Sequence, residues 1–285
     1  MQQGGAEVRA EQVRVPWNLI SLPPFSDVAV KALRLVSDDN VSLRQLSDVV
    51  SADPAFSGEV LTIVNSPLYA LRRSVTNVLQ AISILGLERI KGVAVTVGVR
   101  SYLGGAVHQP ALRACWRHSL ACALIAEEVA AKCCMDKSIA YTVGMMHDIG
   151  RIALAVIQPE AYSAFLDSTP ADSRGVLEDE RQLFEVDHCT AGANLAANWG
   201  LASDFVEIAS RHHEPRGAHL DLLALIQFSC QMADTIGFSA LRSATASSYQ
   251  ELLGGLPSLE RSSFPSDPET LAIKIAGRIN SIEIV

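Results

Sequence analysis

Seven histidines are spread along the 285-residue chain, at positions 108, 118, 147, 188, 212, 213 and 219. Five of them, His118, His147, His188, His212 and His213, sit in apolar, helix-patterned surroundings, where an unpaired imidazole is costly to bury. His147 is followed at once by Asp148, in Val143-Gly-Met-Met-His-Asp-Ile-Gly-Arg151. His188 follows Asp187, and Asp234 lies inside the otherwise apolar Gln231-Met-Ala-Asp-Thr-Ile. Imidazole and carboxylate donors suit Fe, Mn, Zn or Ni. An adjacent His-Asp pair at a helix end can aim two donors at one centre, and its carboxylate can bridge to a second ion. A bound divalent ion turns its water into hydroxide near neutral pH, and two ions roughly 3.5–4 Å apart clamp both oxygens of a phosphoester displacement. The set therefore predicts one or two divalent metal ions on His118, His147, Asp148, His188, His212, His213 and Asp234. The competing expectation is a buried His-to-Asp hydrogen-bond network, kept because breaking it would strand a charge. His212 and His213 cannot both face one side of a helix, so at least one is expected to do no more than cap carbonyls. His108 and His219 are expected on solvent-facing loops.

Helices must carry these donors, because helix signals dominate the sequence. Ser26, Ser42 and Asp53-Pro54 read as helix starts, the last pairing a capping side chain with proline at the first helical position. Ser66-Pro67 and Gly86 read as stops. Pro110 opens a long Ala- and Leu-rich segment to about Cys134. Further segments fall near 138–148, 160–167, 177–186, 188–199, 203–213, 219–236 and 268–282. The run Val93-Ala-Val-Thr-Val-Gly-Val fits a strand or a buried helix, since periodicity does not separate the two over so few residues. The prediction is an all-α fold, an N-terminal helical subdomain followed by a helical bundle. Residues 1–12 and about 241–267 are expected to be loose.

Composition narrows the function classes. Lys and Arg number 23 against 31 Asp and Glu, a net charge of −8, which disfavours a sequence-independent grip on nucleic-acid phosphates. Hydrophobic residues make up 49% and charged residues 19%, enough for a sizeable core. No stretch reaches the ~18–20 apolar residues of a membrane span. The first residues lack the basic-then-apolar form of a secretory signal. Cysteines 115, 122, 133, 134, 189 and 230 show no disulfide spacing and read as reduced, buried residues of a cytoplasmic protein.

The order His118, His147-Asp148, Asp234 resembles the HD superfamily of metal-dependent phosphohydrolases, and His188 with His212-His213 resembles the extra ligands of its HD-GYP branch. Similarity is greater still to the HDOD (HD-related output) domain. It is carried by Leu22-Pro-Pro-Phe, Ser51-Ala-Asp-Pro-Ala-Phe, Ile63-Val-Asn-Ser-Pro-Leu-Tyr, Ala81-Ile-Ser-Ile-Leu-Gly, Trp116-Arg-His-Ser, Gly144-Met-Met-His-Asp-Ile-Gly and His212-His-Glu-Pro. The resemblance implies a loose tail over 1–15, an HDOD domain over 16–238 divided into 16–108 and 109–238, and a linker with a C-terminal helix over 239–285. It also implies a cytoplasmic bacterial signal-transduction output module, non-catalytic and acting through a protein partner or a nucleotide ligand; the C-terminal helix near 268–282 is expected to pack back or to mediate self-association. The sequence departs from the catalytic branch: no Gly-Tyr-Pro follows His212-His-Glu-Pro, Arg151 stands where that branch has Lys, and Ala114 supplies no carboxylate one turn before His118. The alternative expectation is a phosphohydrolase or phosphodiesterase acting on a nucleotide or cyclic dinucleotide, with Asp148 and Arg151 catalytic. A third, a metal or redox sensor, draws on Cys189 beside His188.

Overall fold

Local sequence signals set most of the helix ends. The computed structural model describes residues 25–36, 40–104, 108–168, 173–217, 219–241, 248–256 and 264–283; the tail expected over 1–15 lies outside them. The helices are α1 Asp27–Val36, α2 Leu43–Ser51, α3 Pro54–Val64, α4 Val78–Leu85, α5 Leu87–Leu103, α6 Pro110–Lys132, α7 Lys137–Met146 and α8 Ile149–Ile157. They continue as α9 Pro159–Ser168, α10 Ser173–Phe184, α11 His188–Asn198, α12 Ser203–Arg211, α13 Leu222–Thr235, α14 Tyr249–Gly254 and α15 Pro268–Glu283. No strand occurs among the described residues. Ser42 forms a capping box with Gln45, and the Asp53 carboxylate accepts from the amides of Ala55 and Phe56, with Pro54 behind it. Gly86 adopts φ +88°, a left-handed turn that glycine allows at little cost.

One open alternative is resolved and two expectations change. The Val93–Val99 run is helical, in α5, because every residue from Ile90 to Val99 is buried, so packing outweighs the weak strand preference of valine. The helix expected over 138–148 ends at Met146, and a separate helix, α8, follows His147-Asp148. The stretch expected to be loose contains α14, started by a capping box between Ser248 and Glu251 and buried through Tyr249, Leu252 and Leu253. Cys134, moreover, is exposed.

Helices α1 to α4 pack on or near α5, and α5 in turn packs on α7. One apolar cluster runs from Phe25 to Ile282, so the two expected subdomains share a single core. A smaller cluster, including Leu112, Tyr162, Phe165 and Phe184, lies beneath α8 to α11. Helix α15 packs back on α6, burying Leu271, Ile275 and Ile279, with Arg278 on Glu127 at 2.7 Å and Lys274 on Glu128 at 2.8 Å. Among the described residues no helix is long and apolar enough to cross a membrane.

Two glycines set the crossings that matter most. A Cβ on Gly144 would stand 2.8 Å from Ala123 Cα, and one on Gly150 would stand 1.9 Å from the His188 carbonyl oxygen. Backbones therefore touch where α7 crosses α6 and where α8 meets α11, and these contacts draw 118, 147, 148 and 188 together. Gly150→Ala is expected to lower the unfolding free energy by ~1–3 kcal/mol or more, the range for overpacking. Gly277→Ala, where an added methyl meets nothing, is expected to raise it by roughly 0.5–1 kcal/mol. Urea unfolding reads both, and equal midpoints for the two variants would contradict the close crossing.

Candidate metal centre

Helix ends supply most of the donors. His118 projects from the middle of α6, His147 is the C-cap of α7, and Asp148 is the N-cap residue of α8. His188 opens α11, and His212 caps the C-terminus of α12, with His213 next in the turn. An N-cap carboxylate ordinarily accepts from its own helix, worth ~1 kcal/mol. Asp148 makes no such cap; its side chain turns to the imidazoles instead. Both members of the 212–213 doublet reach the cluster, because α12 has ended at Arg211 and helical geometry no longer separates them, and His212 caps carbonyls through Nδ1 as well. His108 and His219 are exposed, as expected.

Each of four imidazoles is fixed through Nδ1. His118 Nδ1 donates to the Phe238 carbonyl at 2.8 Å, and His147 Nδ1 to the Gly144 carbonyl at 2.7 Å. His188 Nδ1 donates to Glu180 at 2.6 Å, and His212 Nδ1 to the Ala209 carbonyl at 3.0 Å. All four Nε2 atoms then face Asp148, at 3.9, 3.8, 3.4 and 3.2 Å respectively. His147 Nε2, His212 Nε2 and Asp148 Oδ1 are buried and make no hydrogen bond. His213 Nε2 lies 2.9 Å from His188 Nε2, so one of them carries a hydrogen or both face a cation.

Glu180 was not singled out by sequence reasoning, yet it is fully buried. Its Oε2 accepts from His188 Nδ1 and from the His188 amide, and its Oε1 accepts from the Tyr162 hydroxyl at 2.8 Å. The available signal was register: Val176, Glu180 and Phe184 recur every four residues on the buried face of α10. Within Glu178-Asp179-Glu180, only the last falls on that stripe. Arg151, expected to be catalytic only in the phosphohydrolase alternative, faces inward. Its guanidinium is buried, with Nε on Asp148 at 3.0 Å and Nη1 3.4 Å from both Glu180 and Tyr162. It holds the two carboxylates in place and does not reach out for a phosphate.

Asp234 also stands differently from the expected ligand set. It approaches His118 at Nδ1, 3.3 Å away, on the side of the ring turned away from Asp148. One turn earlier on α13, Cys230 places its sulfur 3.4 Å from His118 Nε2. Groups whose donor atoms lie within 4.8 Å of one another are His147 with Asp148 and His212; His118 with His147 and Cys230; and His188 with Cys189, His212 and His213.

Electrostatics here are strongly perturbed. Burial alone would raise the Asp148 carboxyl, but Arg151 and then the imidazoles of His147, His212 and His188 hold it well below the usual carboxylate range. Burial likewise opposes ionisation of Glu180, yet His188 and Arg151 bring it down to about 2. Burial pushes His147 down to about 3, despite Asp148. His188 goes the other way, to about 9, because Glu180 and Cys189 overcome burial and Arg151. Cys189 falls to about 6 beside His188 and His212, against its own burial. The carboxylates that draw protons onto these rings would equally draw a divalent cation. Three buried donors without hydrogen bonds, each costing ~1–3 kcal/mol if left so, fit such an ion. So does the fixed Nδ1 pattern, since metal-bound imidazoles donate their other N–H to a carbonyl or carboxylate.

The HDOD domain profile matches residues 22–215. A Geobacter sulfurreducens HDOD domain protein of unknown function, 21% identical, superposes with a TM-score of 0.68 over 92% of this chain and 91% of its own. A candidate signal transduction protein of Marinobacter aquaeolei VT8, 22% identical, gives 0.70 over 92% of this chain and 58% of its own. A candidate phosphohydrolase of Shewanella amazonensis SB2B, 21% identical, gives 0.65 over 93% and 94%. These likenesses show a shared fold. An uncharacterised Treponema pallidum (strain Nichols) protein is 20% identical over 195 residues. The chain spans 37% of that relative's length.

The Glu180 network generates a stability test. Glu180→Ala strands Arg151 and His188 in the interior and is expected to cost about 3–5 kcal/mol in urea unfolding. Asp234→Asn, at the partly exposed rim, is expected to cost under about 1 kcal/mol. Similar losses for the two would contradict the ranking.

Proposed function

Because the chain belongs to the HDOD domain family, we propose that it is a cytoplasmic bacterial signalling module that binds a protein partner and turns over no substrate, its His/Asp centre holding a divalent ion as a structural and regulatory element. The observation that carries this reading is burial. His118, His147, Asp148, His188 and His212 are between 1% and 4% exposed. A catalytic metal site keeps a coordination position open to water and substrate. The inward turn of Arg151 supports the same reading, since no cation is left facing a phosphate from that position. The name of the Marinobacter relative is in keeping with it.

His118, His147 and Asp148 would hold one ion, with His188, His212 and His213 placed for a second. A bound ion supplies fixed positive charge that matches the buried carboxylates. The chain's own groups do the rest: Glu180 orients His188, the Gly144 and Phe238 carbonyls orient His147 and His118, and Arg151 steadies Asp148. The rival reading, a metal-dependent phosphohydrolase, is favoured by the convergence of unbonded donors at His147, Asp148 and His212.

Protein purified anaerobically is expected to carry roughly stoichiometric metal by elemental analysis, with affinity falling as pH falls because imidazole ligands must be unprotonated. Loaded with Mn(II), Fe(II) or Zn(II), it is expected to hydrolyse bis(p-nitrophenyl) phosphate and a cyclic dinucleotide no faster than Asp148→Ala does. Robust turnover lost in Asp148→Ala would overturn the non-catalytic reading in favour of its rival.

A further inference from the structure

We propose that the Cys189 thiol is itself a metal ligand, completing a nitrogen–sulfur donor set with His188, His212 and His213, and that the centre therefore prefers a thiophilic cation of the Zn2+ type over the harder Mn2+. This inference rests on the metal-binding reading above.

Cys189 differs from the other deeply buried cysteines. Cys115 and Cys122 belong to apolar clusters, where a buried thiol behaves as a small hydrophobic group. Cys189 is 5% exposed yet belongs to neither cluster. Its sulfur lies 3.6 Å from His188 Nε2 and 4.0 Å from His212 Nδ1, the nitrogen that also donates to the Ala209 carbonyl. With Zn–N near 2.0–2.1 Å and Zn–S near 2.3 Å, tetrahedral ligands stand about 3.5 Å apart, N to S. The sulfur's spacing from His188 is thus that of a shared ion, and all four donors lie within 4.8 Å of one another.

Helix geometry explains how adjacent residues can both contribute. Positions 188 and 189 are the first two of α11, where successive side chains diverge by ~100° and can straddle one point. The doublet arrives from the end of α12, which packs closely on α11. Thiolate favours Zn-like ions, whereas carboxylate and water favour Mn. Four protein donors also leave no open position, the pattern of a structural site.

Cobalt tests this directly. Chelator-stripped protein titrated with Co2+ under anaerobic conditions is expected to develop visible ligand-field bands and a near-ultraviolet thiolate-to-cobalt charge-transfer band. Cys189→Ser is expected to lose the charge-transfer band, keep visible bands, and weaken Zn2+ binding at least about tenfold, with Mn2+ binding nearly unchanged. Cys134→Ser, at an exposed thiol, is expected to change nothing. Circular dichroism establishes that Cys189→Ser is folded, and Cys189→Ala is the second variant if it is not. Visible bands without a charge-transfer band overturn the thiol assignment and leave the metal centre standing. So does a charge-transfer band that survives Cys189→Ser and falls in Cys230→Ser. Absence of any cobalt spectrum overturns both readings.

Discussion

The Asp148 carboxylate, buried among four Nε2 atoms and one guanidinium, sets the constraint that the surrounding structure satisfies. Two buried carboxylates, Asp148 and Glu180, share a single buried arginine, Arg151. That leaves one negative charge in a low-dielectric interior, and an isolated charge there is far too costly to persist. Either protons on the imidazoles or a cation must complete the balance. A proton on His212 Nε2 would face Asp148 at 3.2 Å, whereas a divalent ion would also engage His147 Nε2, which makes no hydrogen bond. The Nδ1 anchors, the glycine crossings and the helix ends all place donors around that point.

Much of this was legible in the sequence. Asp53-Pro54, Ser42 and Gly86 marked helix boundaries because caps act within a few residues of chain. The five apolar-embedded histidines and Asp148 stood out because ionisable groups in apolar surroundings need partners. What escaped depended on tertiary contact. Glu180 sits in an acidic run that reads as solvated, and only its register with Val176 and Phe184 betrays it. Arg151 and Asp234 are of the right types, but which way each side chain turns depends on Glu180, Tyr162 and the ring face of His118. Helix α5 overrode a β-branched run because burial on every side outweighs intrinsic preference. His213 joined the cluster because α12 stops one residue before the doublet, a difference finer than sequence patterns resolve.

A closed centre changes what the fold can do. With the donors covered and the arginine spent internally, the geometry suits holding elements together more than admitting a substrate. The ends of α7, α11 and α12 and the middle of α6 meet at this one place. Anything that alters its charge therefore bears on the packing of the whole bundle. Helix α15, outside the matched residues 22–215, is tied to α6 by ion pairs with Glu127 and Glu128.

The most direct test of the central claim is the thermal unfolding midpoint of wild type and of Asp148→Asn, each with a chelator and with excess Zn2+. A ligand at 100 times its Kd adds ~2.7 kcal/mol to the folded state, a rise of roughly 5–10 °C for a domain of this size. The account expects such a rise in the wild type and a smaller one in the variant, which loses the carboxylate at the middle of the donor cluster. Identical wild-type midpoints with and without metal would show that the imidazoles form a proton-balanced network and hold no ion.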